Sequence, residues 1–136
     1  GLYIDEAQAK VEDIWEKWIV TYHGTFPAVA KSIIQHHQFL LPGDHSIDGD
    51  RISIREGHIP GKNHIYTSPA IAYSANEIYA HPKQYRSRYG RLCRAKTVLQ
   101  CRQDPSTLKI QGETIGAREK RLCPIIPNSE IEYFTE

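Results

Sequence analysis

At 136 residues the chain falls in the commonest size range for one domain, enough to bury roughly 70% of its unfolded surface around a single core. Hydrophobic residues make up 40% and charged residues 24%, and no apolar run approaches the roughly 20 residues of a membrane span, which excludes a helical membrane protein. A net charge of +1 excludes a surface built wholly for nucleic acid, and three cysteines, Cys93, Cys101 and Cys123, give neither a disulfide framework nor a CxxC zinc site.

In chain order, Ala9, Val11, Ile14, Trp15 and Trp18 follow helical spacing behind the acidic pair Asp5 and Glu6, which predicts a helix over about 5–18. Ile19-Val20-Thr21-Tyr22 is β-branched and aromatic and predicts a strand that ends at His23-Gly24-Thr25, where side chains project into a cleft. Thr25 can cap the next helix, which Pro27 opens and which runs to about His37. Leu41 to Asp50 and Gly57 to Gly61 read as loops, with a short strand between them at Arg51 to Ile54. His64 to Ser68 predicts a short buried strand, and Pro69 opens a helix extending to about Ala80.

The second half alternates as strands do, at about Leu92 to Arg102 and Thr107 to Ile115 around the turn Asp104-Pro105-Ser106. Further strands are expected at Ile125 to Ile126 and Glu130 to Phe134. Early helices and late antiparallel strands predict one α+β domain over 1–136, without internal repeats.

The most informative letters are Tyr22-His23-Gly24-Thr25, then Gly61-Lys62-Asn63-His64-Ile65-Tyr66-Thr67-Ser68, then Tyr73-Ser74-Ala75-Asn76. Their order resembles the ADP-ribosyltransferase superfamily, and most closely its poly(ADP-ribose) polymerase-like branch, whose signature is a His-Gly strand end, a Gly-Lys-Gly-Ile-Tyr strand and a helix bearing Ser-Ala-Asn. The resemblance implies split antiparallel sheets with flanking helices around an NAD cleft. It implies that the His23 ring holds a ribose, the Gly24 backbone and the Ser74 hydroxyl hold the nicotinamide carboxamide, and Tyr66 stacks on the nicotinamide. Thr25, Ser68 and Tyr73 fall among the expected NAD contacts. Two residues, Asn63 and His64, separate Lys62 from Ile65 where the pattern has one. Glu77 stands where the family carries a second stacking tyrosine, with Tyr73 and Tyr79 as the nearest substitutes.

Transfer of ADP-ribose also needs a carboxylate near the bond to nicotinamide, because positive charge develops on the ribose. Glu132, followed by Tyr133 as in the polymerase-like Glu-Tyr pair, is the favoured acid. Strand alternation puts Glu130 on the same face and makes it a second candidate; Glu113 is the rival. The resemblance thus implies an intracellular enzyme that takes NAD as substrate and moves one ADP-ribose to a protein or other macromolecular acceptor. A piece of a larger protein is the expected context. Two other readings stand beside it: an inactive module of the same fold that binds a partner protein, and an RNA 2′-phosphotransferase, whose first motif resembles Tyr-His-Gly-Thr.

Plainer readings exist for each letter. An isolated His23 is often satisfied by a nearby carbonyl, and Glu130 and Glu132 could be the solvated side of an edge strand. Seven histidines suggest metal, but His36-His37 diverge on a helix, His45, His58 and His64 lack ligand spacing, and no metal site is expected. Asp44, Asp48 and Asp50 lack the glutamate that would complete a calcium loop. Lys83, Arg86, Arg88, Arg91, Arg94 and Lys96, interleaved with Tyr85 and Tyr89, form a basic cluster able to hold phosphates; a solvated loop is the plainer reading, and nucleic acid is not the favoured partner.

Overall fold

The computed structural model describes Lys10 and residues 13–36 and 64–135. The strand expected at Arg51 to Ile54 and the loops around it lie outside the described residues, as do Gly61 and Lys62 of the second motif. The described chain is α+β: short helices and three antiparallel sheets.

Helix α1 (Ile14–Lys17) is one turn long. Asp13, just before it, is left-handed (φ 56), so a continuous helix over 5–18 is broken there. Strand β1 (Ile19–Thr25) ends at Thr25, within the expected His23-Gly24-Thr25 stretch, and carries all three residues inside the ladder, paired with Leu99, Val98 and Thr97. Helix α2 (Pro27–His36) follows as expected, burying Val29, Ala30 and Ile33. Strand β2 (Ile65–Thr67) is followed by helix α3 (Ile71–Ser74), which ends well short of Ala80. The cause is local: the Asn76 carbonyl accepts from both Tyr79 N and Ala80 N, and Asn76 Oδ1 accepts from Ile78 N, so the side chain competes with helical bonding.

The run Leu92 to Arg102 is two strands, β4 (Leu92–Ala95) and β5 (Thr97–Gln103), parted at Lys96. β4 pairs with β3 (Lys83–Arg86), a strand hidden beneath the basic letters, whereas β5 pairs along all of β1. The turn at Asp104 does not make a hairpin, because β6 (Leu108–Gln111) pairs instead with β7 (Glu132–Thr135). Ile125 and Ile126 form no strand, and Glu130 closes a 3-10 turn (Asn128–Glu130) before β7 begins.

The sheets follow the orders β1-β5, β2-β7-β6 and β3-β4. The first two touch at one point, where Tyr22 and Ser68 exchange both backbone bonds at 2.8 and 2.9 Å. Beside that bridge, Gln103 Oε1 accepts from Thr21 Oγ1 at 2.9 Å and Thr67 Oγ1 at 2.8 Å, stitching β1 and β2 together with buried hydroxyls. Beyond it the strands part. Ala70, Tyr73 and Ile131 form a buried cluster backed by Tyr79, Ile115, Leu122, Cys123 and Ile126. The buried set also includes Thr21, Thr25, Ser32, His64, Thr67, Ser68, Ser74 and Glu132, a polar interior that usually signals fixed hydrogen-bond geometry.

Candidate functional site

In an antiparallel ladder the backbone groups of alternate residues point to opposite neighbours. Tyr22 spends both of its groups on Ser68, so Gly24, two residues later, turns its N–H and C=O to the same side, toward β2. There the ladder is interrupted: His23 Nδ1 lies 2.7 Å from the Tyr66 carbonyl oxygen, the group the next rung would have used. A carbonyl only accepts, so Nδ1 carries the proton. Burial lowers the His23 pKa from its ordinary 6.5, against the opposing pull of that bond, and the ring is neutral at pH 7.

Gly24 has to be glycine. A Cβ there would run into the Ser74 carbonyl oxygen and come within 3.0 Å of Tyr79 Cβ. Ser74, at the end of α3, donates its hydroxyl to the Tyr22 carbonyl at 2.8 Å, locking the helix end onto β1. The oxygen's lone pairs remain the groups it can offer a ligand.

Glu132 is the buried carboxylate of the candidate site. It is 1% exposed. Its Oε1 accepts from Tyr79 at 2.5 Å, Tyr73 at 3.2 Å and Thr114 at 3.0 Å; Oε2 accepts from Gln111 Nε2 at 2.6 Å and from Thr114 at 3.1 Å. These are neutral donors, an arrangement that holds a carboxylate in place without cancelling its charge. Burial, followed by the charge of Glu132, pushes the Tyr79 phenol far above its ordinary range, and burial raises Tyr73 as well, so both remain protonated donors.

Tyr79 links the two halves of the site, its Cβ against Gly24 and its hydroxyl on Glu132. Tyr73 and Tyr79 are the nearest substitutes for the tyrosine that Glu77 replaces, on the assumption of a helix continuing through Glu77. Because α3 ends at Ser74, the turn over 75–80 brings Tyr79 round to the site, while Glu77 faces outward and pairs with Arg94 at 2.6 Å.

Tyr66 shares a sheet face with Phe134 and Glu132, through its pairing with Phe134 and the alternation of β7. Its ring packs with Phe134 (centroids 6.2 Å) and His64 (6.0 Å), one step along the strand from the carboxylate rather than on it. Ser68 is buried and its hydroxyl accepts from Ala70 N at 3.0 Å, setting up the entry to α3. Thr25 closes β1 against Thr97 with its backbone turned to β5.

Glu130 does not share the face of Glu132. The 3-10 turn removes it from the strand, and it is exposed. Glu113 is occupied elsewhere: its Oε2 accepts from Ile115 N and Ala117 N, bracing the loop that presents Thr114. Sequence reading passed over Gln111 and Thr114. Gln111 stands directly opposite Glu132 in the β6–β7 register, a relation visible only once those strands are known to pair.

No family model matches this chain, and no curated protein or solved structure matches it. Among the described residues no group of three or more His, Cys, Asp or Glu side chains could hold a metal ion, and no helix is long and apolar enough to cross a membrane.

Proposed function

We propose that the protein is an NAD-dependent mono-ADP-ribosyltransferase, moving one ADP-ribose to a macromolecular acceptor, a protein in the first instance, with release of nicotinamide. The observation that carries this reading is the set of contacts that ties His23 to the Tyr66 carbonyl on β2, Ser74 to Tyr22, and Tyr79 to both Gly24 and Glu132. Nicotinamide presents a flat ring and a carboxamide with one acceptor and two hydrogens. A strand edge with its N–H and C=O on one side satisfies such a group in both directions, and the Ser74 oxygen adds an acceptor.

Neutral His23, protonated on Nδ1, offers Nε2 as an acceptor for a ribose hydroxyl. Reaction breaks the bond from ribose C1′ to the pyridinium nitrogen, whose electron pair returns to nicotinamide. The oxocarbenium-like ribose is then attacked by the acceptor's nucleophile, which gives up its proton. Glu132 supplies the negative charge that stabilises that state, and a carboxylate held by Gln111, Thr114 and tyrosine hydroxyls needs no reorganisation as charge develops.

One observation favours a second reading. The hydroxyls of Tyr73, Tyr79 and Thr114 already cover Glu132, as they would in an inactive module of the same fold whose acid has become structural. NAD labelled in its adenosine half separates the two. The enzyme transfers label to protein and releases nicotinamide, and Glu132→Gln lowers the rate by about a hundredfold or more. Absence of both NAD binding heat and label transfer selects the module; full activity of Glu132→Gln removes Glu132 from the chemistry.

A further inference from the structure

The hairpin β3–β4 stands apart from the site in composition and exposure. Between Lys83 and Lys96 lie six cations, Lys83, Arg86, Arg88, Arg91, Arg94 and Lys96, and no acid, in a chain whose net charge is only +1. All six are exposed, and every residue of β3 faces solvent. Sheet surfaces commonly set opposite charges across from one another. Here Arg86 faces Leu92, Arg94 faces Gln84 and Lys83 faces Ala95. Among the described residues one acid answers this charge, Glu77 on Arg94.

The tip is built to project. Gly90 is left-handed (φ 80) and donates to the Ser87 carbonyl, while Ser87 N–H donates to the Arg91 carbonyl, closing a tight turn. Tyr89 on that turn is 86% exposed with the Arg88 guanidinium 5.9 Å from its ring centroid; Tyr85 is 52% and Leu92 58% exposed. Open aromatic faces among arginines satisfy the two requirements of single-stranded nucleic acid, a surface for stacked bases and cations for phosphates. An acidic polypeptide would use the charge and leave the rings without a role. The hairpin is tied to the site, since Lys96 Nζ donates to the Ala75 carbonyl and Arg94 holds Glu77, both in the turn that carries Tyr79.

We infer that the β3–β4 hairpin is a docking surface for single-stranded nucleic acid. Its tip binds through Arg86, Arg88 and Arg91 on phosphates and Tyr89 under a base. The inference does not depend on NAD chemistry, and its test uses no NAD, so it fails or stands separately from the proposed transferase activity.

The experiment is fluorescence anisotropy of labelled single-stranded polydeoxythymidine titrated with the whole chain over a range of salt, with circular dichroism to confirm that the surface variants stay folded. Binding is expected to weaken about tenfold in Tyr89→Ala, through loss of one stacked base. In the Arg88→Ala/Arg91→Ala double variant the slope of log affinity against log salt is expected to fall by about 1.4, at roughly 0.7 per lost phosphate contact. Absence of binding at low salt overturns the inference. So does binding that Tyr89→Ala leaves unchanged while polyglutamate competes equally, which assigns the surface to an acidic polypeptide.

Discussion

Among single side chains, His23 shows how burial and hydrogen bonding select a protonation state. His23 is held neutral by burial, and its pKa is lowered in the folded chain. The unfolded chain therefore binds more protons than the folded one as pH falls below 6.5, and stability declines in that window. Asparagine can present its amide nitrogen where Nδ1 sits but has no counterpart of Nε2. His23→Asn is expected to keep the link to the Tyr66 carbonyl, to lose the part of acid destabilisation that begins near pH 6.5, and to abolish the proposed transferase activity. Thermal melts at several pH values check the first two outcomes, and a melt whose pH dependence matches the parent overturns the assignment. The letters around His23 announced the residue; its tautomer came from a carbonyl 43 positions away.

The scale of elements is where sequence reading and structure part most clearly. A helix read through Ala80 offered Tyr79 only as a substitute in a different place; the Asn76 turn ends that helix and brings the Tyr79 hydroxyl to Glu132. Hydrophobic periodicity cannot see this, because a carbonyl with two partners and a side-chain acceptor outweigh spacing over so few residues. Tyr79→Phe is expected to cost about 1.5–3 kcal/mol, the range for a hydrogen bond to a charged group. Chemical denaturation measures it, and a change near zero would mean that the phenol does not hold the carboxylate. Strand alternation likewise placed Glu130 beside Glu132, and a three-residue turn separated them.

For the molecule as a whole, the β1-β5 and β2-β7-β6 sheets are joined at the Tyr22–Ser68 bridge and otherwise pair with different partners. Gln103 secures the junction with Thr21 and Thr67. Gln103→Ala leaves two buried hydroxyls without their acceptor, at about 1–3 kcal/mol each. Amide exchange at Tyr22 and Ser68 should then accelerate relative to β7; unchanged exchange would show that the bridge holds without Gln103.

Composition and pattern alone determined the α+β class, β1 and β2 and helix α2, because local propensity is written in neighbouring letters. Tertiary structure decided the rest: that β6 pairs with β7 and not β5, that Gln111, Thr114 and Tyr79 hydrogen-bond Glu132, and that the basic cluster folds as the β3–β4 hairpin. Those outcomes depend on which distant strands exchange hydrogen bonds, and a one-residue shift in any register would reverse every side chain along it.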